Sequence, residues 1–488
     1  MDTSQLAKKI KHGIKWQAII SVASQVIYFI NGVILARILG PKEFGIYGMA
    51  QIVSSFVWMF WQLGLNAAIV QRKEIDRAHL DTAFTISVVM GIICAIITWF
   101  SAPFIADFFN EPKVIPLTRV IALTFIIYSL DRIPSALLGR ELRFKEAAIP
   151  GLLNAFLYPT VAIPMALMGF GAMSFVWGVV AGAVGMLLVR YYWLFKYFDW
   201  RPRIGFDKKS AKDLLGFGVF LTLTNILNFF LWNLQKIITG KYLGATDLGY
   251  YNRAANLSSL PLKKIYSLVG SVLLPTFSRI QDNHEKLRDW FRKFNFLTYV
   301  VISPPLIYFM FFAKPFIYFV FGDKWVESAW ILRFTSFWGL LSIPTFYWTN
   351  MLNAKGHPNV LFGINVIRLP VLAVSLFVAI RYGLKGVVYT IFGNSIFTFL
   401  LFVYSVKRFI SLPFRDHLIS LFEPLVINTI AAVMGWLVGS VISSNELVSF
   451  FLGTALFSGV VLMYYIVRWF KYPYLGLLKV NVRELVRV

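Results

Sequence analysis

Ten basic residues stand inside long apolar runs of this 488-residue chain: Arg119, Arg132, Arg190, Lys236, Arg253, Lys263, Lys264, Lys314, Arg333 and Arg368. Asp131 and Glu423 are the clear acids among them. A charge at the centre of a bilayer costs about 2.5–3.5 kcal/mol even on insertion scales, so each such residue should face water, a partner or a ligand. Arg190 and Lys314 lie near run ends and read as snorkelling side chains. Asp131 and Arg132 read as a local pair. Arg253, Lys263, Lys264 and Arg368 have no such account. Arg253, Asn256 and Lys264 fall at i, i+3 and i+11, one helical face, with Pro261 bending the helix between them. Cations in excess of acids imply an anionic guest. Arg can clasp phosphate oxygens as a bidentate fork, and Lys can bind them as a point charge. Structural pairing remains the alternative for each residue taken singly.

Two polar stripes accompany these cations. Ser21, Ser24, Tyr28 and Asn31 recur at helical spacing, and so do Asn225, Asn228, Trp232 and Gln235. Polar groups turned to lipid would be left unsatisfied, so both stripes should face the interior. Interhelical hydrogen bonds, each worth about 0.6 kcal/mol, are one use for them. Lining a cavity is the other, and the matched placement of the two stripes favours it.

Signatures of soluble chemistry are missing. No phosphate-binding G-x-x-x-x-G-K-[ST] loop and no H-E-x-x-H occurs. His12, His79, His284, His357 and His417 scatter over different cytoplasmic loops in this reading. The single cysteine, Cys94, lies in an apolar run. No catalytic residue, metal site or cofactor is expected, and ATP hydrolysis is not.

The elements that must position these residues are membrane helices. The chain is 58% hydrophobic and 14% charged, against about 25% charged in soluble domains. Its net charge of +24 would suggest nucleic acid in a soluble protein. Here the cations sit in short loops, where they orient helices in a membrane. Apolar runs long enough to span a bilayer lie near residues 14–36, 44–68, 82–104, 114–138, 147–168 and 170–195. Eight more lie near 215–239, 248–277, 294–321, 328–352, 360–380, 384–405, 418–440 and 447–467. The sequence thus predicts an all-α integral membrane protein of fourteen transmembrane helices. Lys8, Lys9, Lys11 and Lys15 precede a first run too long for a signal-peptide core, so it reads as an uncleaved anchor. With the N-terminus inside, inner loops hold about 30 of the 47 Lys and Arg and outer loops about 7. Both termini should therefore be cytoplasmic.

The chain also repeats itself. Leu39-Gly40-Pro41-Lys42-Glu43-Phe44-Gly45-Ile46-Tyr47 parallels Leu243-Gly244-Ala245-Thr246-Asp247-Leu248-Gly249-Tyr250-Tyr251. Ser54-Ser55 pairs with Ser258-Ser259, Ile133-Pro134 with Ile343-Pro344, and Gly169-Phe170 with Gly383-Leu384. Parallel copies of six helices imply two lobes with a site between them. The expected organisation is a six-helix lobe over 1–195, a cytoplasmic linker over 196–214, a second six-helix lobe over 215–405, and two extra helices with a cytoplasmic tail over 406–488.

Two stretches carry a family resemblance: Leu35-Ala36-Arg37-Ile38 running into the Leu39–Tyr47 motif, and Leu63-Gly64-Leu65-Asn66-Ala67-Ala68-Ile69-Val70-Gln71-Arg72-Lys73-Glu74. With them the chain resembles the Wzx-type polysaccharide-flippase branch of the multidrug/oligosaccharidyl-lipid/polysaccharide exporter superfamily, of the colanic-acid and teichuronic-acid kind. That resemblance implies a two-lobed fold working by alternating access in the bacterial cytoplasmic membrane. It implies flipping of undecaprenyl-pyrophosphate-linked oligosaccharide for surface polysaccharide, with membrane lipid and other assembly proteins as partners and no nucleic acid. The substrate contacts expected here are Arg253, Asn256, Lys264 and Arg368 for the pyrophosphate. Ser21, Ser24, Asn31, Asn225, Asn228 and Gln235 are those expected for the sugars. A multidrug antiporter of the same superfamily is the alternative, but a basic interior would repel cationic drugs, and the first helix has no buried acid. A membrane glycosyltransferase or polymerase would need a large outer loop, which the chain does not offer.

Overall fold

A computed structural model describes residues 3–61, 65–72, 74–215, 219–410, 413–443 and 445–471. Among them no strand occurs. The helices are α1 (Thr3–Ile38), α2 (Pro41–Trp61), α3 (Leu65–Gln71), α4 (Arg77–Phe109), α5 (Val114–Arg140), α6 (Phe144–Leu167), α7 (Met173–Tyr197) and α8 (Lys208–Leu215). They continue with α9 (Val219–Tyr242), α10 (Gly244–Arg279), α11 (His284–Phe321), α12 (Ser328–Ala354), α13 (Pro358–Ala379), α14 (Gly383–Ile410), α15 (Phe414–Ile442) and α16 (Glu446–Lys471). Ten helical segments among the described residues are long and apolar enough to cross a membrane, one of them a run from Pro358 to Ile410 that holds α13 and α14. In lipid, a helix satisfies its backbone groups within one segment, which suits long continuous apolar runs.

The run expected over 44–68 ends earlier in the structure. Helix α2 stops at Trp61, and Leu65–Gln71 forms the short separate helix α3. Leu65 and Ile69 of α3 are fully buried. Arg140 Nη1 donates to the carbonyls of Ile69 at 2.8 Å and Arg72 at 2.5 Å, so the otherwise orphaned C-terminal carbonyls of α3 gain a cationic cap. Helix α4 begins earlier than expected, at Arg77. Asp76 is its N-cap and accepts from the His79 N–H at 2.9 Å; that backbone bond holds the Asp76 carboxyl below its usual range.

The chain forms two compact units, Met1–Gly249 and Tyr250–Val488. Among the described residues, the first unit has three apolar clusters. Leu35, Ile46, Met49, Phe109 and Phe175 pack at the end carrying the Leu39–Tyr47 motif. Val57, Trp61, Cys94 and Phe125 pack in the middle, and Leu65, Ile69, Phe84, Ile133 and Trp200 at the opposite end. The second unit centres on Phe291, Tyr299, Leu306, Tyr347, Trp348 and Met351. A polar seam joins α11 to α15 and α16. Arg288 and Arg292 both pair with the fully buried carboxylate of Asp416. Asn428 Nδ2 donates to Ser303 Oγ at 2.9 Å and to the Tyr465 hydroxyl at 3.0 Å. Tyr308 meets Thr454 at 2.9 Å.

Candidate functional site

Helix α10 is 36 residues long, yet its polarity keeps it outside the ten apolar segments. Its packed face is Tyr251, Ala254, Leu257, Ser258 and Leu262, all buried. Its exposed face is Asn256, Lys263, Lys264 and Ser267. These positions recur at three- and four-residue steps, so they form one stripe. A stripe with two lysines cannot face hydrocarbon at an ordinary cost. Arg253 flanks the stripe, half-buried, with its guanidinium 4.7 Å from the ring centre of Phe321 and 5.0 Å from that of Trp325. Stacking on two rings fixes the plane of the guanidinium.

Arg368 stands on α13. Its Nη1 donates to Asn365 Oδ1 at 3.3 Å, its Nε is buried with no hydrogen-bond partner, and no carboxylate pairs with it among the described residues. A guanidinium without a carboxylate inside a membrane helix is costly unless water or a ligand meets it.

The polar stripes on α1 and α9 divide between packing and exposure. Tyr28 donates to Asn154 Oδ1 at 2.9 Å, and Asn31, buried, donates to the Ala155 carbonyl at 3.3 Å. Both bonds knit α1 to α6. Ser24 bonds back to the Ile20 carbonyl at 2.8 Å, and Gln235, buried, to that of Trp232 at 2.8 Å. Ser21 and Asn228 are half-buried. The side chain of Asn225 lies outside the described residues.

Three expectations change. Asp131 pairs not with Arg132 but with Arg190, at 2.5 Å, and all three side chains are buried. Arg190 therefore does not snorkel. Arg132 instead donates to the Trp61 carbonyl at 2.8 Å and stacks on the Trp61 ring at 4.1 Å. His417 lies inside α15 rather than in a loop. It is fully buried, 3.0 Å from Asn295 Nδ2, and ringed by Phe291, Tyr299, Trp348, Phe399 and Phe414.

The Leu39–Tyr47 motif has a packing role that its sequence did not disclose. Glu43 accepts the Ala172 N–H at 2.7 Å at the start of α7 and lies 3.7 Å from Lys113. Gly171 has φ +56°, which favours glycine, and a Cβ there would sit 2.5 Å from Glu43 Oε2. Phe44 and Tyr47 pack on Phe175 at 4.6 and 4.9 Å. The two copies of the motif also meet. A Cβ on Gly45 would fall 1.6 Å from the Ala245 carbonyl oxygen, and one on Gly249 would fall 1.9 Å from that of Pro41. In the repeat, Pro41 corresponds to Ala245 and Gly45 to Gly249, so the contact is reciprocal.

Comparison with known proteins places the chain among surface-polysaccharide proteins. The family described as polysaccharide biosynthesis protein matches residues 34–330. The chain is similar to the lipopolysaccharide biosynthesis protein WzxC of Escherichia coli K12, 27% identical over 446 residues, 90% of this chain and 89% of that one. It is similar to the succinoglycan biosynthesis transport protein ExoT of Rhizobium meliloti, 25% identical over 436 residues, 88% of this chain and 86% of that one. Its fold resembles the lipid II flippase MurJ in an inward closed conformation, with TM-score 0.69 at 15% identity, covering 92% of this chain and 98% of that one. An inward-facing multidrug resistance MATE transporter of the MOP superfamily scores 0.62 at 18% identity, covering 80% of this chain and 94% of that one.

Proposed function

The chain belongs to the polysaccharide biosynthesis protein family, and from that premise we propose how it works as a flippase of lipid-linked oligosaccharide for surface polysaccharide. Relatives named for polysaccharide biosynthesis and transport align along nearly its whole length. The observation that carries the mechanism is the exposed, basic stripe of α10 together with Arg368, which meets no carboxylate among the described residues. In this reading Arg253, Asn256, Lys264 and Arg368 bind the pyrophosphate of a polyprenyl-linked oligosaccharide. In a partly dry cavity, an anion and a cation attract far more strongly than in bulk water. Ser21 and Asn228 reach sugar hydroxyls, while Asn31 and Tyr28 are spent on helix packing. The polyprenyl tail stays in the bilayer. The full reading has fourteen spans in two six-helix repeats, both termini in the cytoplasm, and translocation from the inner to the outer leaflet by alternating access.

Complementation of a strain lacking its own flippase tests the site, with membrane expression as control. Arg253→Ala and Arg368→Ala should abolish surface polysaccharide while the protein stays in the membrane. Arg253→Lys should restore it only partly, because Lys cannot make the bidentate contact or stack as a plane. Full surface polysaccharide from both alanine variants would rule the site out. A multidrug antiporter is the lesser reading. Its shared fold supports it, but a cationic interior would repel cationic drugs, and a drug-resistance assay of the same strain separates the two.

A further inference from the structure

The segment between α7 and α8 carries two large apolar side chains in the open. Ile204 is 80% exposed and Phe206 67% exposed. Their exposure does not come from a loose loop. Trp200, itself buried, donates its indole N–H to Asp81 Oδ1 at 2.7 Å. Thr85 Oγ1 donates to the Gly205 carbonyl at 2.8 Å and accepts the Gly205 N–H at 2.9 Å. The Asp207 N–H donates to Thr82 Oγ1 at 2.9 Å. Three successive anchors thus pin the backbone to the first turns of α4. In extended chain, alternate residues point to opposite sides. Gly205 is the residue turned to α4, where a Cβ would meet Asp81 at 3.3 Å. Ile204 and Phe206 are therefore both held outward, away from the protein.

Their neighbours are basic. Arg201, Arg203, Lys208, Lys209 and Lys212 are all exposed. The acids of the segment are largely engaged. Asp207 caps α8 through the Ser210 hydroxyl at 2.6 Å and backbone N–H at 2.8 Å. Asp213 pairs with Arg72 at 3.2 Å. Asp199 is separated from Ile204 by Arg201 and Arg203. The last turns of α7, which lead into the segment, carry Tyr191, Tyr192, Trp193 and Tyr197, the aromatic belt that marks a membrane–water interface.

We propose that residues 201–209 form a membrane-surface anchor. Ile204 and Phe206 insert into the interface of the cytoplasmic leaflet, and Arg203, Lys208 and Lys209 bind its anionic phospholipid headgroups. An exposed apolar pair beside cations, at the level of an aromatic belt, matches an anionic bilayer surface in both polarity and charge. The anchor ties α4 and α7 to the leaflet from which substrate would enter. It rests on the placement of this loop inside the cell, not on the identity of the substrate.

The test uses the full chain with its one cysteine removed, Cys94→Ala, and a single new one, Phe206→Cys, carrying an environment-sensitive fluorophore. The protein is placed in nanodiscs of phosphatidylcholine alone or mixed with phosphatidylglycerol, with and without brominated acyl chains. In the anionic discs the emission should shift to the blue and be quenched by bromine. Lys208→Glu with Lys209→Glu should reverse this, because each cation near an anionic surface is worth about fivefold in partition. Ile204→Cys gives an independent position should the first variant misfold. A label that stays water-like in anionic discs, that behaves alike in both lipids, or that is shielded only when cytosolic protein is added would overturn the anchor.

Discussion

Asp131 has two cations within reach along the chain: Arg132 beside it, and Arg190 a helix pair away. The structure gives it to Arg190 at 2.5 Å, and burial of both partners decides what the bond is worth. A buried pair can cost more to desolvate than it returns, but breaking it strands a charge at about 3–5 kcal/mol. Asp131→Ala should therefore lower thermal stability in detergent by that order. Replacing both partners, Asp131→Leu with Arg190→Leu, should recover most of the loss. A single variant as stable as the parent would show that the pair is not buried as described. The same physics separates Asp131–Arg190 from Arg368. The first pair joins opposite charges, whereas Arg368 meets no carboxylate among the described residues and reaches only Asn365, which suits a group meant to meet a substrate.

At the scale of elements, the repeated motif is informative because its two copies touch. Gly45 and Gly249 allow the helix starts at Pro41 and Ala245 to cross with backbone almost on backbone. Any side chain at either position must push the other helix away. Overpacking of this kind costs about 1–3 kcal/mol. Gly45→Val and Gly249→Val should each destabilise the protein by that amount in thermal unfolding. The double variant should cost less than their sum, because both act on one contact. Fully additive losses would mean that the two glycines belong to separate contacts. The polar seam of α11 with α15 and α16 is a second element-scale feature. Asp416 receives two arginines, so Asp416→Ala leaves two cations facing each other. That variant should reduce the amount of folded protein recovered from membranes, read by size-exclusion chromatography, more than Arg288→Ala, which leaves Asp416 paired with Arg292.

For the whole molecule the decisive quantity is the charge asymmetry of the loops. On the fourteen-span reading basic residues gather at alternate ends of successive apolar segments, an asymmetry of the kind that sets orientation during insertion. Topology reporters fused after Lys42 and after Lys208 should give opposite signals, the first outside and the second inside. Matching signals would overturn the fourteen-span arrangement and, with it, the placement of the 201–209 anchor. The outcome would leave the family and fold standing, since the family rests on the match over residues 34–330 and the fold on a likeness over 92% of the chain, not on loop charge.

Much of this protein could be read before any coordinates. Hydrophobic length and the scarcity of charge dictate membrane helices, because no other secondary structure satisfies the backbone in lipid along a continuous chain. The shared face of Asn256 and Lys264 on α10 is legible too, since spacing along a helix fixes which residues share a face. Partner choice is not. Whether Asp131 takes Arg132 or Arg190, whether Asn31 lines water or bonds the Ala155 carbonyl, and where α2 gives way to α3 depend on which helices pack together. Helical periodicity orders residues around one axis and carries no information about the neighbouring axis. Only the tertiary structure brings Gly45 against Ala245, or turns Ile204 and Phe206 outward by pinning Gly205 to Thr85, because those contacts join residues far apart in the chain.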